Sequence, residues 1–146
     1  MIGKVLELYI TQNNTEKTRL SLNSIEIDVN GVVNDKFYAK DPMRSILISS
    51  QDSYKLSKDN GIDLDSGALG ENILLDINPY SLVAGEKIQI GDTILQITQN
   101  CTLCKGLSTL NSKLPKLLKN DRGIFAQVIE GSSKINLGDR VTILNH

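Results

Sequence analysis

Two cysteines, Cys101 and Cys104, are the side chains in this sequence best suited to covalent or metal chemistry. They lie in Asn100-Cys101-Thr102-Leu103-Cys104-Lys105-Gly106-Leu107, which follows a predicted strand and opens a predicted helical segment. Unpaired backbone N–H groups and the helix dipole favour a thiolate at such a place, and Lys105 adds a positive charge beside Cys104. A thiolate is both a nucleophile and a soft metal ligand. The competing role is packing, because Cys is among the residue types most often buried, and an isolated Cys-x-x-Cys is a weak signal. Structural zinc would want four ligands, and the only histidine is His146 at the C-terminus, so zinc is not expected. That lone histidine also argues against a Ser-His or Cys-His base arrangement. Thioredoxin-type exchange would require a βαβ setting that the surrounding pattern does not provide.

Further candidates come from polar residues next to glycines and at strand ends. Gly67-Ala68-Leu69-Gly70-Glu71-Asn72-Ile73 places an acid and an amide directly after two glycines, a loop able to bring backbone N–H groups close to a ligand. The simpler role for Glu71 and Asn72 is to satisfy a tight entry into a strand. Gly31-Val32-Val33-Asn34-Asp35-Lys36 has the same character. Arg44 and Arg122 stand near strand ends and are suited to gripping an oxyanion, although isolated arginines usually serve as solvated or paired surface groups.

The elements that must position these residues are mostly strands. Val5, Leu6, Leu8 and Ile10 fall close to a period of two within Lys4–Ile10, and Ile25, Ile27 and Val29 alternate with polar residues. Ile46-Leu47-Ile48 within Ser45–Ser49 is an unbroken apolar run, as in a strand covered on both faces, and Ser50 then offers an N-cap for a short surface helix ending near Asn60-Gly61. Further strands are predicted at Asn72–Ile77, Lys87–Ile90, Thr93–Thr98, Ile124–Ile129 and Val141–Leu144. Leu107, Leu110, Leu114, Leu117 and Leu118 recur at helical spacing, with Pro115 expected to divide them into two short helices. Lys87-Ile88-Gln89-Ile90-Gly91-Asp92 and Lys134-Ile135-Asn136-Leu137-Gly138-Asp139 share a strand-then-Gly-Asp grammar, which reads as turn architecture. Many short strands with turn punctuation favour a barrel or sandwich over a wound α/β sheet.

Composition narrows the function classes. The 146 residues suit one domain, 1–146, with an ordinary hydrophobic fraction of 40%. Sixteen basic against seventeen acidic residues leave a formal charge of -1, so no global field gathers nucleic acid. Apolar runs fall far short of the ~20 residues that span a bilayer, and no charged-then-apolar leader is present. A cytoplasmic protein with reduced thiols is expected.

In chain order these pieces resemble the MOSC domain, the family named for the C-terminal part of molybdenum cofactor sulfurases. The resemblance runs through Gly31–Lys36, Arg44–Ser49, Gly67-Ala68-Leu69-Gly70-Glu71-Asn72-Ile73, Gly85–Asp92, the Cys104 segment, Arg122-Gly123-Ile124-Phe125-Ala126 and Gly138-Asp139-Arg140-Val141. Its most specific part is Gly-x-x-Gly-Glu-Asn followed by a cysteine and then Arg-Gly. Where many members have Gly-Asp-Arg or Gly-Asp-Lys, this chain has Asn34-Asp35-Lys36, and Asn tolerates a left-handed backbone. The resemblance implies a mainly β fold, a MOSC-type β-barrel related to that of pyruvate kinase with a few short helices. It also places the family's cysteine at Cys104, a residue associated in relatives with molybdenum or with carrying sulfur, and leaves Cys101 as an additional thiol.

Three functions follow as expectations. In the first, the Cys104 thiolate ligates molybdenum in a pterin cofactor (molybdopterin), Lys36, Arg44, Glu71, Asn72 and Arg122 line the pocket, and an N-oxygenated substrate is reduced. In the second, Cys104 holds a persulfide and exchanges sulfur with donor and acceptor proteins, and Cys101 resolves it. In the third, the domain is a non-catalytic interaction module with inert thiols.

Overall fold

The computed structural model describes residues 2–14, 18–101, 107–131 and 134–144. Its eleven strands and short helices follow the order β1 (Ile2–Thr11), β2 (Arg19–Leu22), β3 (Ser24–Asp28), β4 (Gly31–Val32), a 3₁₀ turn at Pro42–Arg44, β5 (Ile46–Ser50), α1 (Gln51–Asp59), β6 (Ile73–Leu75), β7 (Lys87–Ile90), β8 (Thr93–Asn100), α2 (Leu107–Leu110), α3 (Leu114–Leu117), β9 (Ile124–Gly131), β10 (Lys134–Asn136) and β11 (Arg140–Leu144). Seven strands close into a barrel in the order β1-β6-β5-β9-β8-β7-β11 and back to β1. Closure works because β1 is long enough to serve several partners. Ile2–Lys4 pair with β11, Val5–Leu8 with β6, and Leu8–Thr11 with β2. A closed barrel leaves no edge to template aggregation.

The β5–β6 pair is parallel, whereas the barrel's other pairings are antiparallel. A parallel pair demands a crossover, and α1 lies within it. The helix starts where the sequence places a cap: Ser50 Oγ accepts the Asp52 N–H at 3.0 Å. The short sheet β10-β3-β4 adds Ile25, Ile27, Val32 and Ile135 to the same apolar core as Val5, Leu8, Ile46, Ile48, Ile88, Ile90, Leu95, Ile97 and Val141. A second cluster, Ile62, Leu69, Leu107, Leu114 and Leu118, packs the helices outside the barrel.

Two expectations need correction. The two short helices exist, but Pro115 does not divide them. It sits in the first turn of α3, where its missing N–H costs nothing, and the break falls earlier, between Leu110 and Leu114. The strand at Arg19–Leu22 was not anticipated: four residues are too few to show a period, and their backbone takes its extended form by pairing with β1. The Gly-Asp turns behave as expected at Gly138-Asp139, where Gly138 has φ +80 and Asp139 Oδ2 accepts the Asn136 N–H at 2.8 Å. Among the described residues no helix is long and apolar enough to cross a membrane.

Candidate functional site

Side chains on a strand alternate between its faces, so each barrel strand also presents an outward row. On β5, Ile46 and Ile48 enter the core while Leu47 points outward; on β9, Ile124 and Ala126 enter while Phe125 points outward. Leu47 and Phe125 are direct register partners, and they pack with Cys101 into a small outer cluster. Cys101 is fixed there by its N–H, which donates to the Gly123 carbonyl at 2.9 Å. Against this cluster opens a cavity of about 320 Å³, lined as well by Phe37, Lys40, Asp41, Arg44, Ser45, Gly70, Asn72 and Arg122.

The cavity has a buried floor and an exposed rim. Leu47, Cys101, Phe125, Ser45 and Asn72 are buried, whereas Phe37, Lys40, Asp41, Arg44 and Gly70 are exposed. Three cations, Lys40, Arg44 and Arg122, face one carboxylate, Asp41, which lies 4.0 Å from Arg44 Nε. In a chain of formal charge -1 this local excess of positive charge favours an anionic ligand.

Arg122 is steered by its neighbours. Its Nε and Nη2 donate to the Leu69 carbonyl at 3.3 and 3.0 Å. Its own carbonyl accepts Ser49 Oγ–H at 2.7 Å and Tyr80 O–H at 3.1 Å. Burial pushes the Tyr80 phenol up to about 12, so it remains a donor across the physiological range. Gly123 lets the chain press against β5, since a Cβ there would stand 2.9 Å from Leu47 Cδ1 and from Ser49 Oγ.

Asn72 borders the cavity, but both ends of its amide are committed to the scaffold. Oδ1 accepts the Leu47 N–H at 3.0 Å, and Nδ2 donates to the Tyr9 carbonyl at 3.2 Å and to Asp35 Oδ1 at 3.3 Å. Asp35 in turn accepts the N–H groups of Thr11 and Phe37, which shapes the turn that the left-handed Asn34 (φ 71) begins. One amide therefore joins β1, β5 and the loop that carries Phe37.

Glu71 is fully buried and is not among the cavity-lining residues. Its Oε2 accepts the Tyr54 O–H at 2.6 Å, and Arg19 Nη2 lies 3.6 Å from its Oε1. Burial raises its pKa above the ordinary carboxylate value, and Tyr54, Arg19 and Arg122 only partly counter that. Arg19 also donates to the Gly67 carbonyl at 3.1 Å, and Tyr54 Oη accepts the Leu69 N–H at 3.3 Å. Glu71 thus organises the two side chains that hold the Gly67–Gly70 loop, whose Leu69 carbonyl orients Arg122.

Of the residues singled out from sequence, Arg44, Asn72 and Arg122 meet at the cavity. Lys36 is not among its lining residues; its Nζ lies 4.9 Å from the Phe37 ring centroid. Cys104 lies outside the described residues, on the segment that leaves directly from Cys101. Sequence reasoning passed over Phe37, Lys40, Asp41, Leu47 and Phe125. The alternation of β5 and β9 carried the signal for Leu47 and Phe125, because an apolar residue on the outward face of a barrel strand needs a cover.

A model of the MOSC domain matches residues 35–142. The YuaD protein from Bacillus subtilis has a similar structure, with TM-score 0.80 and 20% identity over 97% of this chain and 94% of that one. YiiM from Escherichia coli follows at TM-score 0.74 and 18% identity, covering 100% of this chain and 71% of that one. YiiM from Geobacillus stearothermophilus gives 0.72 and 15%, covering 98% and 75%. No curated protein matches the sequence.

Proposed function

We propose, on the premise that this chain belongs to the MOSC domain family, that the cavity on the outer face of β5 and β9 is the place where molybdenum-cofactor chemistry occurs. The observation that carries this reading is a cation-rimmed cavity floored by Cys101, the residue from which the Cys104 segment departs.

The donor set bears on which group fits. Among the described residues no group of three or more His, Cys, Asp and Glu side chains comes together to hold a metal ion. A bare ion therefore finds no cage among the described residues, whereas a metal that brings its own ligands needs from the protein only one thiolate and an anion-friendly wall. Molybdopterin is such a group, with a phosphate for the cations and a flat ring system for the apolar floor, so the residues fit it. Arg44 and Arg122 would hold its anionic part, and Cys104 would supply the thiolate. Bound there, the cofactor would supply two-electron reduction of a small N-oxygenated compound. Lys36, Glu71 and Asn72 support the same site through its scaffold. Asn72 fixes the wall, Glu71 fixes the loop that orients Arg122, and Lys36 lies against Phe37 at the rim. Leu47 and Phe125 exclude water from the floor, which strengthens every charge interaction made there.

The second reading, a persulfide carrier, is favoured by Cys101 itself, a buried free thiol lining the cavity and three residues from Cys104. In that reading the acceptor takes the outer sulfur, or Cys101 displaces it as hydrosulfide and leaves a Cys101–Cys104 disulfide.

Elemental analysis of wild-type and Cys104→Ser protein, both from a host that makes the cofactor, tests the first reading. Near-stoichiometric molybdenum that the substitution abolishes supports it. Metal absent from both, with cyanide-labile sulfur on the wild type alone, overturns it in favour of the carrier.

A further inference from the structure

Five of the cavity's lining residues, Phe37, Lys40, Asp41, Arg44 and Ser45, come from one short stretch of chain. That stretch is held in an unusual shape. Ala39 sits at φ 60, a left-handed conformation that L side chains adopt rarely and at a cost. It stays there because the chain around it is tied down. The Ala39 N–H donates to the Asn30 carbonyl at 2.9 Å, and the Tyr38 O–H donates to Asp28 Oδ2 at 2.6 Å. Further on, Thr98 Oγ1 donates to the Met43 carbonyl at 2.7 Å. The Lys40 N–H donates to the Phe37 carbonyl at 3.2 Å, closing a turn whose Phe37 and Lys40 both line the cavity.

The three cations differ in how far they are committed. Arg122 donates to the Leu69 carbonyl, and Arg44 lies opposite Asp41. The Lys40 ammonium has no ion pair or hydrogen bond among the described residues, although it borders the cavity. We infer that Lys40, presented by the strained turn at Ala39, is a specificity determinant that selects small substrates with an aromatic or apolar body and an exposed anionic group such as a carboxylate or phosphate. The body rests against Phe37, above the floor assigned to the cofactor, and the anion meets the ammonium at the rim. The inference rests on the cavity being the reaction site, and it concerns a residue separate from those assigned to the cofactor.

The test uses the protein as purified with its metal content measured, and two probes of one shape, 4-fluorobenzoate and 4-fluorobenzamide, followed by fluorine NMR titration at low salt. Wild-type protein should bind the carboxylate about threefold to tenfold more tightly than the amide, the size expected of one exposed charge contact with a second cation nearby. Lys40→Gln should bring the two probes to within about twofold, and Lys40→Arg should restore the preference. Equal binding of the probes by wild type, no binding of the carboxylate, or a preference that survives Lys40→Gln overturns the inference. Because Lys40 is exposed, loss of folding does not confuse the result. Metal content, measured on protein from a host that makes the cofactor, separates the two claims: molybdenum bound without any anion preference sinks the inference alone, and an anion preference in wild type that carries no molybdenum sinks only the cofactor reading.

Discussion

Replacing Asn72 by alanine should damage the fold far more than a cavity-lining residue used only for binding would. The substitution removes three side-chain hydrogen bonds, one from the Leu47 N–H and two to the Tyr9 carbonyl and Asp35 Oδ1. At about 1 kcal/mol net for each bond the loss is about 3 kcal/mol. The Leu47 N–H is buried within β5 and no acceptor remains for it, which adds about 1–2 kcal/mol. Asp35 Oδ1 keeps the Thr11 N–H, so no second group is stranded there. The expected cost is therefore about 4–5 kcal/mol, a large part of the ~5–15 kcal/mol that a domain has. With an m value of about 2 kcal/mol per molar, the urea midpoint should fall by about 2 M. The assay is equilibrium urea unfolding followed by far-ultraviolet circular dichroism. Arg44→Ala serves as the comparison, because Arg44 is about half exposed and should cost no more than about 0.5 kcal/mol. A fall of less than 0.5 M (on the order of 1 kcal/mol) in Asn72→Ala would refute the reasoning, since the amide would then be free to bind a ligand.

Gly123→Ala should destabilise by about 1–3 kcal/mol through overpacking, because the new methyl meets Leu47 and Ser49 at 2.9 Å, and thermal unfolding reads the loss directly. Glu71 should make stability depend on pH. Burial raises its folded-state pKa above the ordinary carboxylate value, so the folded protein holds the proton more tightly than the unfolded chain, and the neutral form is favoured by folding. Stability from this group is accordingly highest below that value and declines as pH rises through the window between the unfolded and folded pKa values. Subtracting the Glu71→Gln stability curve from that of wild type across pH 4–8 (about the carboxylate-to-neutral range) should isolate this decline, and a difference that rises with pH would contradict the assignment.

Many of the strands were legible because burial writes a period into them. Alternation marked β3, and the solid apolar run of β5 anticipated a strand covered on both faces, with Ile46 and Ile48 inside and Leu47 under the cavity. Ser50 was readable as a cap because capping is local chemistry, settled within a few residues. Strand β2 carried no such mark. Pro115 misled because a proline reports only the N–H it lacks, and that is satisfied as well by starting a helix as by ending one.

Glu71 and Asn72 show why motif residues and lining residues are different sets. An acid and an amide after paired glycines are equally compatible with facing a ligand and with bracing the backbone that faces it. The choice depends on long-range partners: Tyr54 and Arg19 for the acid, and Leu47, Tyr9 and Asp35 for the amide. Sequence spacing carries no information about those encounters. Lys40 and Phe37 illustrate the converse, since neither belongs to a pattern and both owe their place on the rim to a turn whose strained residue is an ordinary alanine. A barrel of this kind can keep its bracing residues constant while the chemistry admitted at the rim changes with one loop. The determinants of substrate choice should therefore be sought between Phe37 and Ser45 rather than in the Gly67–Asn72 segment.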